Sequence, residues 1–403
     1  MADLSVTVNG LRLPNPFVIG SGPPGTNANV ILKAFEAGWG GVIAKTISLD
    51  ASKVINVVPR YARMRDAQRE VIGWQNIELI SDRPFETWID EFKRIKDARP
   101  AGALIASVME EYAKGPWQEI VGRCQDAGVD AFELNFSCPH GLPERGMGAA
   151  MGQNVPMLSE VSGWVNEVAQ VPVWAKMTPN ITAVAPAARA ALEAGCEGVS
   201  AINTILSVMG VDLKTLRPEP CVEGFSVPGG YSCRAVRPIA LRIVMELASM
   251  MYGGPTGKAI PPDLDADPSP AVVPVARFSP PGPFMDRSLS AIGGVESGED
   301  AAQFILLGAD TVQVCTGVMI HGYGLIDRLR DGLSAFMDQH GFQSIQDFRG
   351  HALRYFTTHA ELVRRQAAIK ARERAEKAGV VTKDGTWTAD KFVEQSNRLV
   401  SND

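Results

Sequence analysis

One segment places groups capable of chemistry directly after an apolar, strand-like run. Residues 132–152 begin apolar, continue through Asn135, Ser137 and Cys138, and then form a glycine-punctuated stretch. Open α/β sheets and barrels carry out chemistry at the carboxyl ends of their strands, where these polar groups and this thiol would lie. The stretch after Cys138 is long and rich in Gly, Pro and charge, which is typical of a functional loop. The segment therefore predicts an active-site loop that carries a thiol.

Lysines stand at the ends of two further apolar runs. Lys45 follows residues 41–44, and Lys176 follows residues 171–175. A lysine at such an end directs its ammonium into the mouth of a barrel, where burial requires an anionic or electron-rich partner. One isolated lysine more often extends into solvent. Two of them, on the second and fifth predicted strands, favour a positive electrostatic focus.

Side-chain amides recur at the same predicted edge. Asn76 lies in a long loop, Asn135 ends one run, and Asn203 with Thr204 ends another. An amide carries donors and an acceptor, so several amides suit a neutral, planar ligand with alternating N–H and C=O groups. A single Asn is more often a turn or cap residue, so the prediction depends on the repetition.

Two strand ends predict a phosphate site. Gly293 and Gly294 end the seventh run, and Cys315 and Thr316 end the eighth. Such ends expose backbone groups where barrel enzymes commonly bind phosphate, although two plain strand-terminating turns would have the same sequence. A phosphate site, two lysines and a mouth wide enough for a flat ring together predict bound FMN.

The elements that must position these groups alternate between β-rich runs and amphipathic helical stretches. Each crossover helix of a parallel barrel must cover the outer face of the strands it joins, so an eightfold alternation predicts an α/β fold of the TIM (β/α)8 barrel type. Ahead of it, residues 5–13 alternate around Asn9-Gly10 and predict a β-hairpin at the barrel bottom. The predicted strands are residues 17–20, 41–45, 103–109, 131–136, 171–176, 198–203, 289–293 and 311–315. The predicted helices are residues 28–37, 85–98, 117–127, 158–169, 183–194, 235–250, 298–307 and 325–337.

Segments outside this alternation predict long loops and a tail. Residues 46–83 and 203–234 follow strands, so both loops belong to the functional face. Residues 252–283 are rich in Pro, Gly, Asp and Ser without a period, which is typical of a flexible insertion. We therefore predict a barrel over residues 1–360 and a helical tail over residues 361–403. The tail either contacts a second subunit in a homo-oligomer or is a solvated terminal helix.

A dinucleotide-binding fold is the competing α/β interpretation. Residues 20–25, Gly-Ser-Gly-Pro-Pro-Gly, fit G-x-G-x-x-G after a strand. That motif offers backbone N–H groups to a pyrophosphate at the first turn of a helix, and two prolines remove two of those donors. We instead expect Gly20 and Ser21 to let the backbone approach a flat ligand.

Composition limits the partners. The chain has 403 residues, with 39 Lys and Arg against 45 Asp and Glu, which gives a net charge of −6 and no basic stripe for nucleic acid. No segment has about 18 uninterrupted apolar residues, so a membrane span is not predicted and a cytoplasmic location is expected. The six cysteines are scattered without a Cys-x-x-Cys pair for zinc or iron–sulfur, which is typical of a reducing compartment. Cys124 falls on the apolar face of a predicted helix and is expected in the core.

The loop around Cys138 resembles that of a known family. Residues 133–141, Glu-Leu-Asn-Phe-Ser-Cys-Pro-His-Gly, are similar to the active-site loop of the dihydropyrimidine dehydrogenase family, in its dihydroorotate-dehydrogenase-like domain. The resemblance covers most of residues 5–360 and is to the short, single-domain form. It continues through Ala44-Lys45-Thr46, Asn76-Ile77-Glu78, Glu144-Arg145-Gly146-Met147-Gly148, Ala175-Lys176-Met177-Thr178-Pro179-Asn180, Asn203-Thr204, Gly230-Tyr231-Ser232, Arg237-Pro238-Ile239-Ala240-Leu241, Ile292-Gly293-Gly294-Val295 and Gln313-Val314-Cys315-Thr316.

The resemblance implies an FMN-dependent oxidoreductase that reduces the 5,6 double bond of uracil or thymine, the first step of pyrimidine catabolism. It implies Cys138 as general acid, with Lys176 also catalytic. The implied substrate-binding residues are Asn76, Asn135, Ser137, Asn203 and Thr204. The implied FMN-binding residues are Gly20, Ser21, Lys45, Thr46, Lys176, Ser232, Gly293, Gly294, Cys315 and Thr316.

The chemistry fits these residues. Reduction of the double bond needs a hydride from flavin N5 on one carbon and a proton on the other carbon from the opposite face. Cys138 would supply the proton, so its thiol is expected to stay largely protonated at neutral pH, unlike a nucleophilic cysteine. Lys176 would stabilise negative charge at the pyrimidine edge of the flavin, and the amides would fix the substrate ring.

Two departures from the family leave alternatives open. The chain lacks the FAD and iron–sulfur modules of the full-length form, so electrons come from NADPH or NADH directly, from a reductase partner or from a small carrier. Met151 stands where the animal loop has a second cysteine, and Cys233 replaces a flavin-contacting glycine. The alternatives are a dihydroorotate dehydrogenase with Cys138 as base, or a flavin-binding subunit that requires an electron-transfer partner.

Overall fold

We describe the fold from a computed structural model, which describes residues 2–139, 146–253 and 281–378. The chain divides into two compact units. The first contains the residues up to Phe356, and the second begins at Thr357. Of the predicted insertion 252–283, residues 254–280 lie outside the described residues, as do residues 140–145 of the predicted active-site loop.

The first unit contains all the strands of the described chain and most of its helices. Its strands are β1 (Val6–Val8), β2 (Leu11–Leu13), β3 (Phe17–Ile19), β4 (Gly41–Ile43), β5 (Tyr61–Arg65), β6 (Val71–Asn76), β7 (Ala103–Val108), β8 (Ala131–Asn135), β9 (Val173–Lys176), β10 (Gly198–Ala201), β11 (Ile205–Ser207), β12 (Gly210–Asp212), β13 (Arg217–Glu219), β14 (Gly229–Ser232), β15 (Ser288–Ile292) and β16 (Thr311–Val314). Its helices are α1 (Ala28–Ala37), α2 (Phe85–Ala98), α3 (Lys114–Asp126), α4 (Ala149–Gly152), α5 (Val155–Asn166), α6 (Ala185–Glu193), α7 (Arg237–Tyr252), α8 (Gly298–Leu306), α9 (Thr316–His321) and α10 (Leu325–His340).

Eight parallel strands close into a barrel in the order β10-β15-β16-β3-β4-β7-β8-β9, which confirms the predicted TIM barrel. These strands are short and buried along nearly their whole length, because helices cover their outer faces and the interior is filled by side chains. The helix α1 shows how local sequence sets the ends: the Asn27 side chain caps its first turn, and Gly38 ends it at φ 98°, a left-handed conformation that favours glycine. Cys124 is fully buried on α3, as expected.

The N-terminal hairpin β1–β2 lies at the amino ends of the barrel strands, as predicted. The Asn9 side chain at its turn donates to the carbonyl oxygen of Glu197 at 3.0 Å. It accepts from Trp174 Nε1 at 2.8 Å and from Ser288 Oγ at 2.5 Å. Because these partners stand at the starts of β9, β10 and β15, one turn residue ties three barrel strands together at the bottom.

The two long loops of the functional face contain six short β-strands, which differs from the expectation. A four-stranded antiparallel sheet forms in the order β11-β14-β6-β5, and β12 pairs with β13 beside it. The pairing of Trp74 with Ser232 and of Asn76 with Gly230 joins the loop after β4 to the loop after β10. We call the four-stranded sheet β11-β14-β6-β5 the inserted sheet. Sequence analysis missed it because its strands are short and polar on one side.

Many large apolar side chains of the segment that contains β11 to β14 are exposed. Leu213 is 85% exposed and Phe225 is 78% exposed. The barrel helices instead bury their apolar faces against the strands.

The second unit contains α11 (His359–Ala378), and residues 379–403 of the predicted helical tail lie outside the described residues. Glu361 on its first turn forms ion pairs with Arg364 and Arg365. Among the residues that the structure describes, no helix combines the length and the apolarity that a bilayer crossing requires.

Candidate active site

A pocket opens at the carboxyl ends of the barrel strands, between them and the inserted sheet. It encloses about 1110 Å³, including its opening to solvent. Its wall contains all of the predicted catalytic, cofactor-binding and substrate-binding residues except Gly20 and Ser137. The strand-end pattern therefore brought together residues that are far apart in the chain.

The floor of the pocket is a buried ion pair inside the barrel. Lys176, the last residue of β9, places Nζ 3.2 Å from Glu133 Oε1 of β8 and 3.1 Å from Gln313 Oε1 of β16. Both charged side chains are almost completely buried, at 4% and 0% exposure. Sequence analysis missed Glu133 and Gln313, although their inward positions on strands that end at the site are the signal that could have identified them.

A second ion pair forms one side wall. Lys45 follows β4 and places Nζ 2.7 Å from Glu78 Oε2, beyond the end of β6. Arg60 Nη1 lies 3.0 Å from the other carboxylate oxygen, Glu78 Oε1. Each pocket lysine thus contacts a carboxylate, as expected for a buried ammonium group. Because Lys45 and Arg60 share the one carboxylate of Glu78, the positive focus at this wall stays a prediction.

The amides form a connected cluster around the end of β8. Asn135 Nδ2 donates to Thr46 Oγ1 at 3.0 Å, and Asn135 Oδ1 accepts from Ser137 Oγ at 2.8 Å. Asn203 Nδ2 in turn donates to Ser137 Oγ at 2.8 Å. Ser137 is fully buried behind the two amides and does not line the pocket, so it orients Asn135 and Asn203.

Asn76 belongs to the inserted sheet. Its Nδ2 donates to the carbonyl oxygen of Gly230 on the neighbouring strand β14 at 3.2 Å. Thr204 lies in the pocket wall close to Gly230, where a Cβ on this glycine would overlap Thr204 Oγ1. The inserted sheet thus adds the Asn76 amide, and the segment that leads into it adds the Thr204 hydroxyl, to the polar groups that the barrel supplies.

Cys138 lies in the pocket wall and is 7% exposed. It belongs to a small apolar cluster with Val54, Ile80, Met109 and Met147. Its carbonyl oxygen accepts from Ala149 N at 3.0 Å, which anchors the backbone beside the thiol.

The strand ends after β15 and β16 form the opposite end of the pocket. Gly293 and Gly294 have φ values of 152° and 71°, where a side chain would be strained. Ser232 Oγ lies 2.8 Å from Thr316 Oγ1, so two hydroxyls face this end. Gly20 lies behind it, where a Cβ would approach Ile292 Cδ1 to 2.7 Å, so Gly20 serves packing and does not line the pocket.

Two further pocket residues have shifted ionisation. Burial raises the pKa of the Cys315 thiol to about 11, against the opposing attraction of the Lys176 and Lys45 charges. Burial, followed by the Glu78 charge, also raises the pKa of Tyr61. Both groups are therefore neutral across the physiological range. Sequence analysis missed Tyr61 and Trp74, which line the pocket from the inserted sheet.

Comparisons with known proteins agree with this architecture. A family model described as dihydroorotate dehydrogenase matches residues 3–254. The chain is 59% identical over 405 residues to the chloroplastic dihydropyrimidine dehydrogenase (NADP(+)) of Arabidopsis thaliana, covering 99% of this chain and 88% of that protein. It is 36% identical over 350 residues to the NAD-dependent dihydropyrimidine dehydrogenase subunit PreA of Escherichia coli strain K12, covering 87% and 77% of the two chains. It is 29% identical over 353 residues to the catalytic subunit of dihydroorotate dehydrogenase B (NAD(+)) of Pyrococcus abyssi, covering 87% and 99%.

Proposed function

Because this chain belongs to the dihydroorotate dehydrogenase family, we propose that it is an oxidoreductase that reduces the 5,6 double bond of uracil or thymine. The observation that carries the proposal is the pocket itself, in which a thiol and a connected set of amides share one space with a buried lysine. The high identity to a protein named dihydropyrimidine dehydrogenase supports the same reaction.

The donor set of the pocket fits FMN. Lys45 and Lys176 offer ammonium groups to the polar edge of a ring, and Thr46 and Ser21 stand beside Lys45 with hydroxyls 3.2 Å apart. At the opposite end, Gly293, Gly294, Cys315 and Thr316 leave backbone groups accessible, and Ser232 adds a hydroxyl, which suits a phosphate. FMN, when bound, supplies the hydride to one carbon of the substrate double bond.

The amide cluster would hold the pyrimidine. Asn76, Asn135 and Asn203 each have donors and an acceptor, which match the alternating N–H and C=O groups of uracil. The contacts of Asn135 with Thr46 and Ser137 fix the orientation of its amide before substrate binds. Such preorganisation supplies positional rate enhancement, because little ordering remains for the moment of reaction.

Cys138 would deliver the proton. Its thiol lies in the pocket wall and packs with Val54, Ile80 and Met147. A general acid must hold the proton that the second ring carbon requires, and the hydrogen bond from Ala149 N to the Cys138 carbonyl oxygen anchors the backbone that carries it.

The pocket favours uracil over orotate, the substrate that the family name implies. Orotate carries a carboxylate, which needs an available cation. Among the described residues that line the pocket, the cations are Lys45 and Lys176; each is paired with a glutamate, and the donors that they keep are the ones proposed above for the flavin ring. A neutral pyrimidine therefore suits these walls better than an anionic one.

NADPH is our proposed source of electrons, since the Arabidopsis relative is named for NADP(+). The E. coli relative is named as a subunit, so delivery through a reductase partner is the alternative route. Two further points stay predictions: a cytoplasmic location, and a homo-oligomer in which the tail contacts a second subunit.

Spectroscopy tests the function in one sequence of steps. The purified chain is expected to show flavin absorption, to be bleached by NADPH without oxygen, and to recover its colour when uracil is added. Recovery with uracil but not with orotate supports the proposal. A chain that binds no flavin, or one that regains colour only with orotate, contradicts it.

A further inference from the structure

The barrel interior beneath the pocket contains a polar layer in place of the usual branched apolar side chains. Lys176 and Glu133 form its centre, and Gln313, Ser200 and Ser290 complete the contacts around them. These residues come from five different strands, β8, β9, β10, β15 and β16. All five side chains are buried.

The hydrogen bonds of this layer can be accounted for donor by donor. Glu133 Oε2 accepts from Ser200 Oγ at 2.7 Å and from Gln313 Nε2 at 3.0 Å. The other hydrogen of Gln313 Nε2 is donated to Ser290 Oγ at 3.0 Å. Because both amino hydrogens have acceptors, the Gln313 amide is fixed with its Oε1 toward Lys176.

The ammonium of Lys176 is consequently held from two sides. One N–H points to Glu133 Oε1, and a second points to Gln313 Oε1, whose orientation Glu133 itself determines. An ammonium has three donors, so the third stays available to a ligand in the pocket that Lys176 lines. Glu133 therefore acts on the pocket through Lys176, which it contacts directly, and through Gln313, which both contacts Lys176 and lines the pocket.

We infer that Glu133 is a positioning residue that fixes the Lys176 ammonium and sets how much of its positive charge a bound flavin experiences. This inference rests on the proposed function, since it concerns the same lysine. A carboxylate at hydrogen-bond distance compensates the lysine charge, so its removal leaves the ammonium more strongly electropositive toward the pocket.

The reduction potential of bound FMN, measured on the full chain by equilibration with a reference dye, tests the inference. In Glu133→Gln we expect a more positive potential, seen as a roughly tenfold higher ratio of reduced to oxidised flavin at the same dye ratio, the effect of one charge on a nearby buried equilibrium. In Lys176→Met we expect the opposite shift. Ser162→Ala is the matched control, because it removes a buried hydroxyl that donates to the Leu158 carbonyl oxygen on α5, outside the polar layer, and it should leave the potential unchanged.

The double variant separates a positioning role from a direct one. In the Lys176→Met background, Glu133→Gln should produce no further shift, because the ammonium through which the carboxylate acts is absent. Equal shifts in both backgrounds, or no shift in Glu133→Gln, would overturn the inference.

A folding-tolerant variant covers the case in which Glu133→Gln does not fold. Glu133→Asp keeps the charge but withdraws it from Lys176, so a smaller shift in the same direction is expected, and an unchanged potential would contradict the inference. If the unaltered chain binds no flavin, the proposed function fails together with the inference. If the unaltered chain binds flavin and the Glu133 variants leave the reduction potential of the flavin unchanged, only the inference fails.

Discussion

Two lysine–glutamate pairs contact the same pocket, and they are built differently. The floor pair, Lys176 with Glu133, joins neighbouring barrel strands and is 4% and 0% exposed. The wall pair, Lys45 with Glu78, joins the segment after barrel strand β4 to the segment after β6 of the inserted sheet. Its side chains are 9% and 11% exposed, and Arg60 is a second cation beside Glu78. The floor is thus part of the barrel core, whereas the wall belongs to the two loops, residues 46–83 and 203–234, that lie over the pocket; we call these two loops the cover. The comparison indicates that the floor pair is fixed by the barrel itself, whereas the wall pair depends on how the two loops pack over the barrel.

The largest effect is expected at the thiol beside the cover. Cys138→Ala should leave flavin binding intact but lower steady-state uracil reduction by about 10²- to 10⁴-fold, the usual contribution of a general acid. Cys221→Ala is the matched control, since Cys221 is partly exposed outside the pocket wall. Unchanged turnover in Cys138→Ala would remove the thiol from the mechanism.

The next largest effect is a difference in folding stability between variants of the two ion pairs. Glu133→Gln leaves a buried ammonium without its counter-charge and should lower the free energy of unfolding by about 3–5 kcal/mol. Glu78→Gln should cost only about 1–2 kcal/mol, because the wall pair lies at an open pocket where water can replace part of the contact. Thermal unfolding of the two variants side by side measures the difference. Equal losses would show that the floor and the wall are equivalent.

A smaller effect should separate substrate binding from flavin binding. Gly230→Ala places a methyl group against Thr204 Oγ1 in the inserted sheet. We expect the KM for uracil to rise by roughly threefold to tenfold, since about 1 kcal/mol of binding is lost when one polar contact is displaced. The dissociation constant for FMN should not change. A weaker flavin site in this variant would mean that the cover also holds the cofactor.

The smallest effect is expected in the pH dependence of stability. Burial raises the pKa of Cys233, at the end of the inserted sheet, from 9.0 to about 11. The unfolded chain therefore loses this proton at a lower pH than the folded chain. The contribution of this thiol to the free energy of unfolding is fully present below pH 9.0 and is lost as the pH rises toward about 11. Cys233→Ser should show a shallower fall in its unfolding midpoint across this interval. Parallel curves for the two proteins would place the thiol in a more solvated setting.

Sequence patterns predicted the floor elements well and the cover poorly, for physical reasons. Strands such as β8 and β9 are buried on both sides, so they appear as apolar runs whose last residues, Asn135 and Lys176, mark the pocket. Glu133 sits inside such a run, and a single acidic residue there does not by itself predict a site. Its role can be assigned only from the structure, in which β9 and β16 bring Lys176 and Gln313 to the same layer of the barrel interior.

The inserted sheet has no comparable signal. Strands β5 and β14 are short and their burial does not alternate between successive residues, so neither periodicity nor apolarity distinguishes them from loops. The pairing of Trp74 with Ser232 depends on a register between segments far apart in the chain. Tyr61, Trp74 and Glu78 were missed because only that pairing carries them to the pocket.

The pairing of β6 with β14 also constrains how the protein can be made. On a ribosome the hairpin β5–β6 emerges long before Ser232, so the edge of β6 stays open while the intervening strands are synthesised. Barrel closure waits longer still, because β3 must pair with β16 near Val314. A nascent chain that ends before Val314 therefore lacks the complete pocket, and its unpaired strand edges need protection from aggregation until the barrel closes.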